Sequence, residues 1–124
     1  MSRPRPKYLN LLQIKLPVPG LISILHRVSG AVLFLFLPFL LVLLELTLES
    51  PAGFLRFKLV LSHWAVKLFV IGLAWAYLHH LLAGIRHLAL DLDYGTGLPA
   101  ARASSQAVLV TGIVLTVIFG VTVW

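Results

Sequence analysis

The sequence predicts an all-α integral membrane protein with three transmembrane helices, arranged up-down-up. Three observations lead there. Of 124 residues 60% are hydrophobic and 11% charged, against about 45–50% and about 25% in soluble domains. The mean hydropathy is +1.00, and so short a soluble domain buries only part of such a surface, whereas a bilayer accepts all of it. The apolar residues also fall into three long runs, separated by links rich in Pro, Gly and charge. A single transmembrane domain over 1–124 is expected, with spans at about 22–48, 59–90 and 103–124.

The first run is uncharged from Val28 to Leu44 and stays largely apolar to Leu48, long enough to cross a bilayer. Pro38 lies inside it, which predicts a kink that neighbouring helices can accommodate. The link Glu49-Ser-Pro-Ala-Gly53 is expected to break the helix. The second run is uncharged from Leu68 to Leu82, with Lys67 and Arg86 as boundaries able to snorkel. After the turn-forming segment Asp91–Pro99, the chain is uncharged from Ala103 to Trp124 and forms the third run. No internal repeat or strand pattern is evident.

The formal net charge of +6 does not point to nucleic acid, because the ten basic residues flank apolar spans, where they orient a chain in the membrane. An inside N-terminus puts Arg3, Arg5, Lys7, Lys15, Arg27, Arg86 and Arg102 on the cytoplasmic face, and Arg56, Lys58 and Lys67 outside. Seven against three favours that orientation, with Trp124 at the outer interface. The absence of cysteine excludes disulfides and iron–sulfur ligation by this chain. Met1–Tyr8 shows no signal-peptide core, so an unprocessed chain is expected.

Two polar clusters lie at the inner ends of the first two runs. In Ser23-Ile-Leu-His26-Arg27-Val-Ser-Gly30, Ser23 and Arg27 are one helical turn apart, and Ser23 and His26 three residues apart. One reading is an anchor contacting lipid phosphates. The other is a quinone pocket, in which the hydroxyl bonds a carbonyl oxygen and the guanidinium stabilises negative charge developing there. In Tyr77-Leu-His79-His80-Leu-Leu-Ala-Gly84-Ile-Arg86-His87, residues His80, Gly84 and His87 share one stripe. Imidazole is the ordinary axial ligand of a b-type heme, and Gly84 would let a flat macrocycle approach. Interhelical hydrogen bonding by these histidines is the alternative. His79 is turned about 100° from His80, so only His80 shares the Gly84 face. His63, beside Trp64, fits an interfacial position, and Glu45 and Glu49 fit outer-boundary charges.

Together, Ser23-Ile-Leu-His26-Arg27-Val-Ser-Gly30 and His80-x3-Gly84-Ile-Arg86-His87-Leu-x2-Asp91 resemble the two signature motifs of the bacterial succinate dehydrogenase cytochrome b membrane-anchor subunit. Arg5-Pro-Lys-Tyr-Leu-Asn-Leu11 and Ser50-Pro-Ala-Gly-Phe54 resemble its N-terminal segment and first outer loop. The resemblance implies a multi-pass subunit of the bacterial cytoplasmic (inner) membrane. It packs against a second small membrane-anchor subunit and carries an iron–sulfur subunit and a flavoprotein subunit on the inner face. It further implies quinone binding by Ser23 and Arg27, and ligation of the iron of a shared heme b by His80, with the other axial ligand from the partner. His26, Arg27 and His87 would lie near the heme propionates. His79 departs from the family pattern, where an aromatic residue is more familiar. Nothing in these residues handles a dicarboxylate, so no dehydrogenase activity is expected of this chain alone.

Three other readings compete: a heme-free anchor, a fumarate reductase anchor, and a small transporter or channel subunit. The last is disfavoured because the span midplanes are apolar.

Overall fold

The structure is a computed structural model describing residues 15–124. Three of the basic residues assigned above to the inner face, Arg3, Arg5 and Lys7, and the family-like segment from Arg5 to Leu11 lie outside the described residues. The described residues form four helices and no strand: α1 Val18–Glu49, α2 Pro51–Ser62, α3 Trp64–Asp91 and α4 Leu98–Val123. Of these, α1, α3 and α4 are long and apolar enough to cross a membrane.

Helix α1 opens on Pro17 in an extended conformation, with a proline in its first turn, where a missing N–H costs nothing and the fixed φ suits a helix. Its 32 residues continue through Pro38 and extend about 48 Å, more than the hydrocarbon core of about 30 Å. The chain leaves the helix only at Ser50, which is extended at φ −168° and ψ 164°. The break expected over Glu49–Gly53 is thus confined to one residue, and its Pro and Gly serve the start of α2. Pro51 takes the first helical turn, and the Ser50 hydroxyl accepts from the Gly53 amide at 3.0 Å. Gly53 is required by close approach, since a Cβ there would lie 2.5 Å from the Leu46 carbonyl oxygen.

Helix α2 has 12 residues, about 18 Å of helix, too short to span. It exposes Phe54, Leu55 and Leu59 and carries Arg56 and Lys58, the Lys58 ammonium lying 4.9 Å from the Phe54 ring centre. The second apolar run is therefore divided. His63 is extended, its Nδ1 accepts from the Ala65 amide at 3.3 Å, and α3 starts beyond it. Between α3 and α4 the chain reverses through Asp93 and Gly95, at φ 62° and 72°. Helix α4 then begins at Leu98, ahead of the uncharged stretch, because Pro99 fits its first turn and Arg102 needs no break.

Helix α3 packs against both α1 and α4. The common core is small: Ile22, Ala83 and Val108 are buried, with Val18, Leu82 and Leu109 against them. Only 6% of the most apolar stretch of α1 is buried, against 22% for α3. Phe34, Leu48 and Val121 are each 76% exposed, an arrangement suited to lipid or another apolar chain but not to water.

Two cations close the α3–α4 pair, one at each end. Lys67 donates to the Trp124 backbone oxygen at 3.0 Å and lies 5.3 Å from the indole centre. Arg86, expected to snorkel, is instead 8% exposed. Its Nε donates to the Ser104 hydroxyl at 3.0 Å and an η nitrogen donates to the Ala101 carbonyl at 3.2 Å. Ser104 and Ser105 supply local partners on α4, both also donating to the Ala101 carbonyl.

Candidate functional site: a histidine cluster between two helices

The His80–Gly84–His87 stripe of α3 meets the N-terminal half of α1. The imidazoles of His26 and His80 stack with centroids 4.1 Å apart and planes inclined by 11°. The His87 ring lies 5.1 Å from that of His26, tilted by 57°. Three histidines, drawn from two clusters more than 50 residues apart, thus form one group.

Two glycines permit this contact. A Cβ on Gly30 would lie 2.8 Å from Cε1 of His80, so any larger residue would collide with the ring. A Cβ on Gly84 would lie 3.4 Å from Nε2 of His26. The space over Gly84, expected to admit a macrocycle, admits the His26 imidazole in this chain.

The bonding of His80 sets its chemistry. Its Nδ1 lies 2.9 Å from the His26 carbonyl oxygen and 3.3 Å from the Ser29 hydroxyl. A carbonyl only accepts, so Nδ1 carries a proton, and in the neutral ring the lone pair is then on Nε2. This is the usual state of a metal-ligating histidine, whose second nitrogen is fixed by a carbonyl or carboxylate. Ser29 is 2% exposed and donates to the same His26 carbonyl at 2.9 Å.

His79 lies elsewhere. It is fully buried, stacks on Trp75 with centroids 5.2 Å apart and planes inclined by 19°, and neither ring nitrogen has a hydrogen-bond partner. Its backbone lies close to α4, where a Cβ on Gly112 would be 3.9 Å from the His79 Cα. The consecutive histidines therefore serve different surroundings, His80 the α1 contact and His79 the bundle interior.

Ser23 is half-buried and Arg27 exposed, one turn apart on α1 beside His26. Neither side chain is bonded to another described residue. Among the described residues no group of three or more His, Cys, Asp or Glu side chains is arranged to hold a bare metal ion. A heme iron asks less, one axial ligand from each side of the macrocycle. The donor chemistry at His80 fits that requirement.

Two contributors escaped the sequence reading. Ser29 was visible only as part of a motif, and its role depends on the α1–α3 register that brings it to His80. Arg86 gave the signal of a boundary charge, because nothing in the sequence reveals that Ser104 and the Ala101 carbonyl lie opposite it.

Three helices long and apolar enough to cross a membrane, two of them joined by a histidine cluster, define the architecture of a membrane subunit. Residues 1–119 match the family described as succinate dehydrogenase/fumarate reductase transmembrane subunit. The chain is 39% identical to the succinate dehydrogenase cytochrome b556 subunit of Coxiella burnetii, with both chains covered completely. It is 33% identical to the subunit of the same name from Paracoccus denitrificans, over 92% of this chain and 88% of that one. For the Rickettsia felis subunit the identity is 32%, over 94% and 91%. This chain belongs to the succinate dehydrogenase/fumarate reductase transmembrane subunit family.

Proposed function

We propose that the chain is the cytochrome b membrane anchor of a succinate dehydrogenase, contributing one axial ligand to a shared heme b and two residues to a quinone site. The observation that carries this reading is the bonding of His80: its Nδ1 donates to the carbonyl of His26, the residue beside Arg27 and three from Ser23 on α1, which leaves Nε2 as the ring's ligating nitrogen. The names of the relatives, succinate dehydrogenase cytochrome b556 subunits, support both the enzyme and the heme.

In this reading His80 would hold the iron of a heme through Nε2, and Ser29 and the His26 carbonyl fix its ring in the tautomer that leaves Nε2 free to do so. His26, His87 and Arg27 provide donors and charge for the propionates. When bound, the heme supplies a one-electron carrier. Ser23 orients a quinone carbonyl through its hydroxyl, and Arg27 lowers the energy of the oxygen as it gains negative charge. A second small membrane subunit would cover part of the exposed apolar surface and supply the heme's other protein ligand. The iron–sulfur and flavoprotein subunits dock on the inner face, where succinate oxidation takes place outside this chain. This reading puts the chain in a bacterial inner membrane with the N-terminus in the cytoplasm. The described basic residues agree with that orientation: Lys15, Arg27, Arg86 and Arg102 lie at one end of the bundle, and Arg56, Lys58 and Lys67 at the other.

The test separates quinone chemistry from assembly. In the intact complex, Ser23→Ala should lower quinone reduction through positioning. Arg27→Leu should lower it further, by roughly one to two decades, because losing a bond to a charged group costs about 1.5–3 kcal/mol. Succinate oxidation by an artificial acceptor that draws electrons from the soluble subunits should survive both changes. Parental quinone reduction in both variants, with heme retained, would reduce Ser23 and Arg27 to lipid anchors and move the site elsewhere.

A further inference from the structure

A groove runs between α3 and α4 at the inner end of the bundle, apart from the histidine cluster. Its volume is about 280 Å³, and Leu82, Val108 and Ala107 are among the residues that line it, with Arg86 and Ser104 as its polar elements and Tyr94 at its mouth. No carboxylate lines it. The two bonds of Arg86 go to a hydroxyl and a carbonyl, both neutral. The chain holds only four acidic residues, Glu45, Glu49, Asp91 and Asp93, and none lies in residues 1–14. Arg86 therefore contributes a full positive charge, 8% exposed, whose remaining donors have no anion opposite them in the groove. Those donors are not sealed: the only polar side-chain atoms both enclosed and unbonded among the described residues are the His79 nitrogens.

We propose that this groove is a binding site for one anionic phospholipid of the inner leaflet. Charge complementarity selects the occupant. A buried cation near a membrane surface is stabilised by an anion, and a planar guanidinium suits a phosphate. Depth agrees, since Arg86 lies five residues, about 7.5 Å, from the end of α3. That is the level at which a headgroup phosphate meets the acyl region. From there Leu82 and Val108 continue an apolar channel toward the bilayer centre for one acyl chain. Tyr94, 72% exposed, stands at the mouth, where a phenol favours the headgroup layer. Basic pockets between helices on the cytoplasmic side are an established form of lipid recognition. The choice of leaflet rests on the orientation proposed above, and nothing here rests on the assignment of heme or quinone.

The test uses the assembled complex, stripped of lipid in detergent and titrated in mixed micelles with phosphatidylglycerol or phosphatidylcholine, with bound lipid counted by native mass spectrometry. The parental complex should take up phosphatidylglycerol with at least about a fivefold preference, the scale expected of one basic residue near a membrane surface. Arg86→Gln should lose that preference. Because Arg86 also joins α3 to α4, a second variant, Ala107→Phe, fills the groove from an exposed position without touching the Arg86 bonds. It should lose the bound lipid while keeping the parental optical spectrum. Equal uptake of both lipids, undiminished phosphatidylglycerol in Ala107→Phe, or full displacement by millimolar inorganic phosphate would each overturn the proposal.

Discussion

The imidazole of His80 sits where it does because residue 30 has no side chain. A methyl group there would meet the ring at 2.8 Å, and the obstacle is a packed imidazole held by two bonds rather than a flexible chain end. Gly30→Ala should therefore lower the heme content of the complex at unchanged subunit stoichiometry, measured as heme per flavin. Ser29→Ala should act more mildly, because the His26 carbonyl still fixes Nδ1. Loss of such an outer partner lowers metal affinity by about 10- to 100-fold, and the expected sign is faster heme loss on dilution in detergent, with the spectrum of the bound fraction retained. His79 presents the opposite case, an imidazole with neither nitrogen satisfied. An unbonded buried polar group costs about 1–3 kcal/mol, so His79→Phe should leave the midpoint of thermal unfolding equal to or above the parental value. A marked fall would mean that His79 has a partner in the assembled complex.

At the scale of helices, much of the architecture was legible and the exceptions have physical causes. The three long helices follow from apolar runs that nothing but a membrane tolerates, and the face argument separating His79 from His80 needs only helical geometry. Helix α2 was not legible, since Pro and Gly after Glu49 carry the signal of a break. Their effect depends on Ser50 capping and on the absence of a Cβ beside the Leu46 carbonyl. Arg86 was similarly misjudged, because a cation near a span end reads the same whether it reaches water or a neighbouring helix. The cap has a testable value. Ser50→Ala should destabilise α2 by about 1 kcal/mol, seen as faster hydrogen exchange of the amides of 52–55 with no change in α1 or α4.

For the whole molecule, the helices leave most of their apolar surface uncovered, a surface for lipid or another apolar chain to cover. Its histidine cluster was partly visible in the sequence as two motifs, but their union depends on an α1–α3 register that periodicity alone does not fix. The central claim is that His80, and not its neighbour, ligates the iron of a heme shared across the subunit boundary. The most direct measurement is the reduced-minus-oxidised optical spectrum of the purified complex bearing His80→Leu or His79→Leu, with subunit composition checked in each. The account predicts that His80→Leu abolishes or alters the low-spin b-type bands while His79→Leu keeps them. Parental bands in His80→Leu, with their loss in His79→Leu, would contradict it.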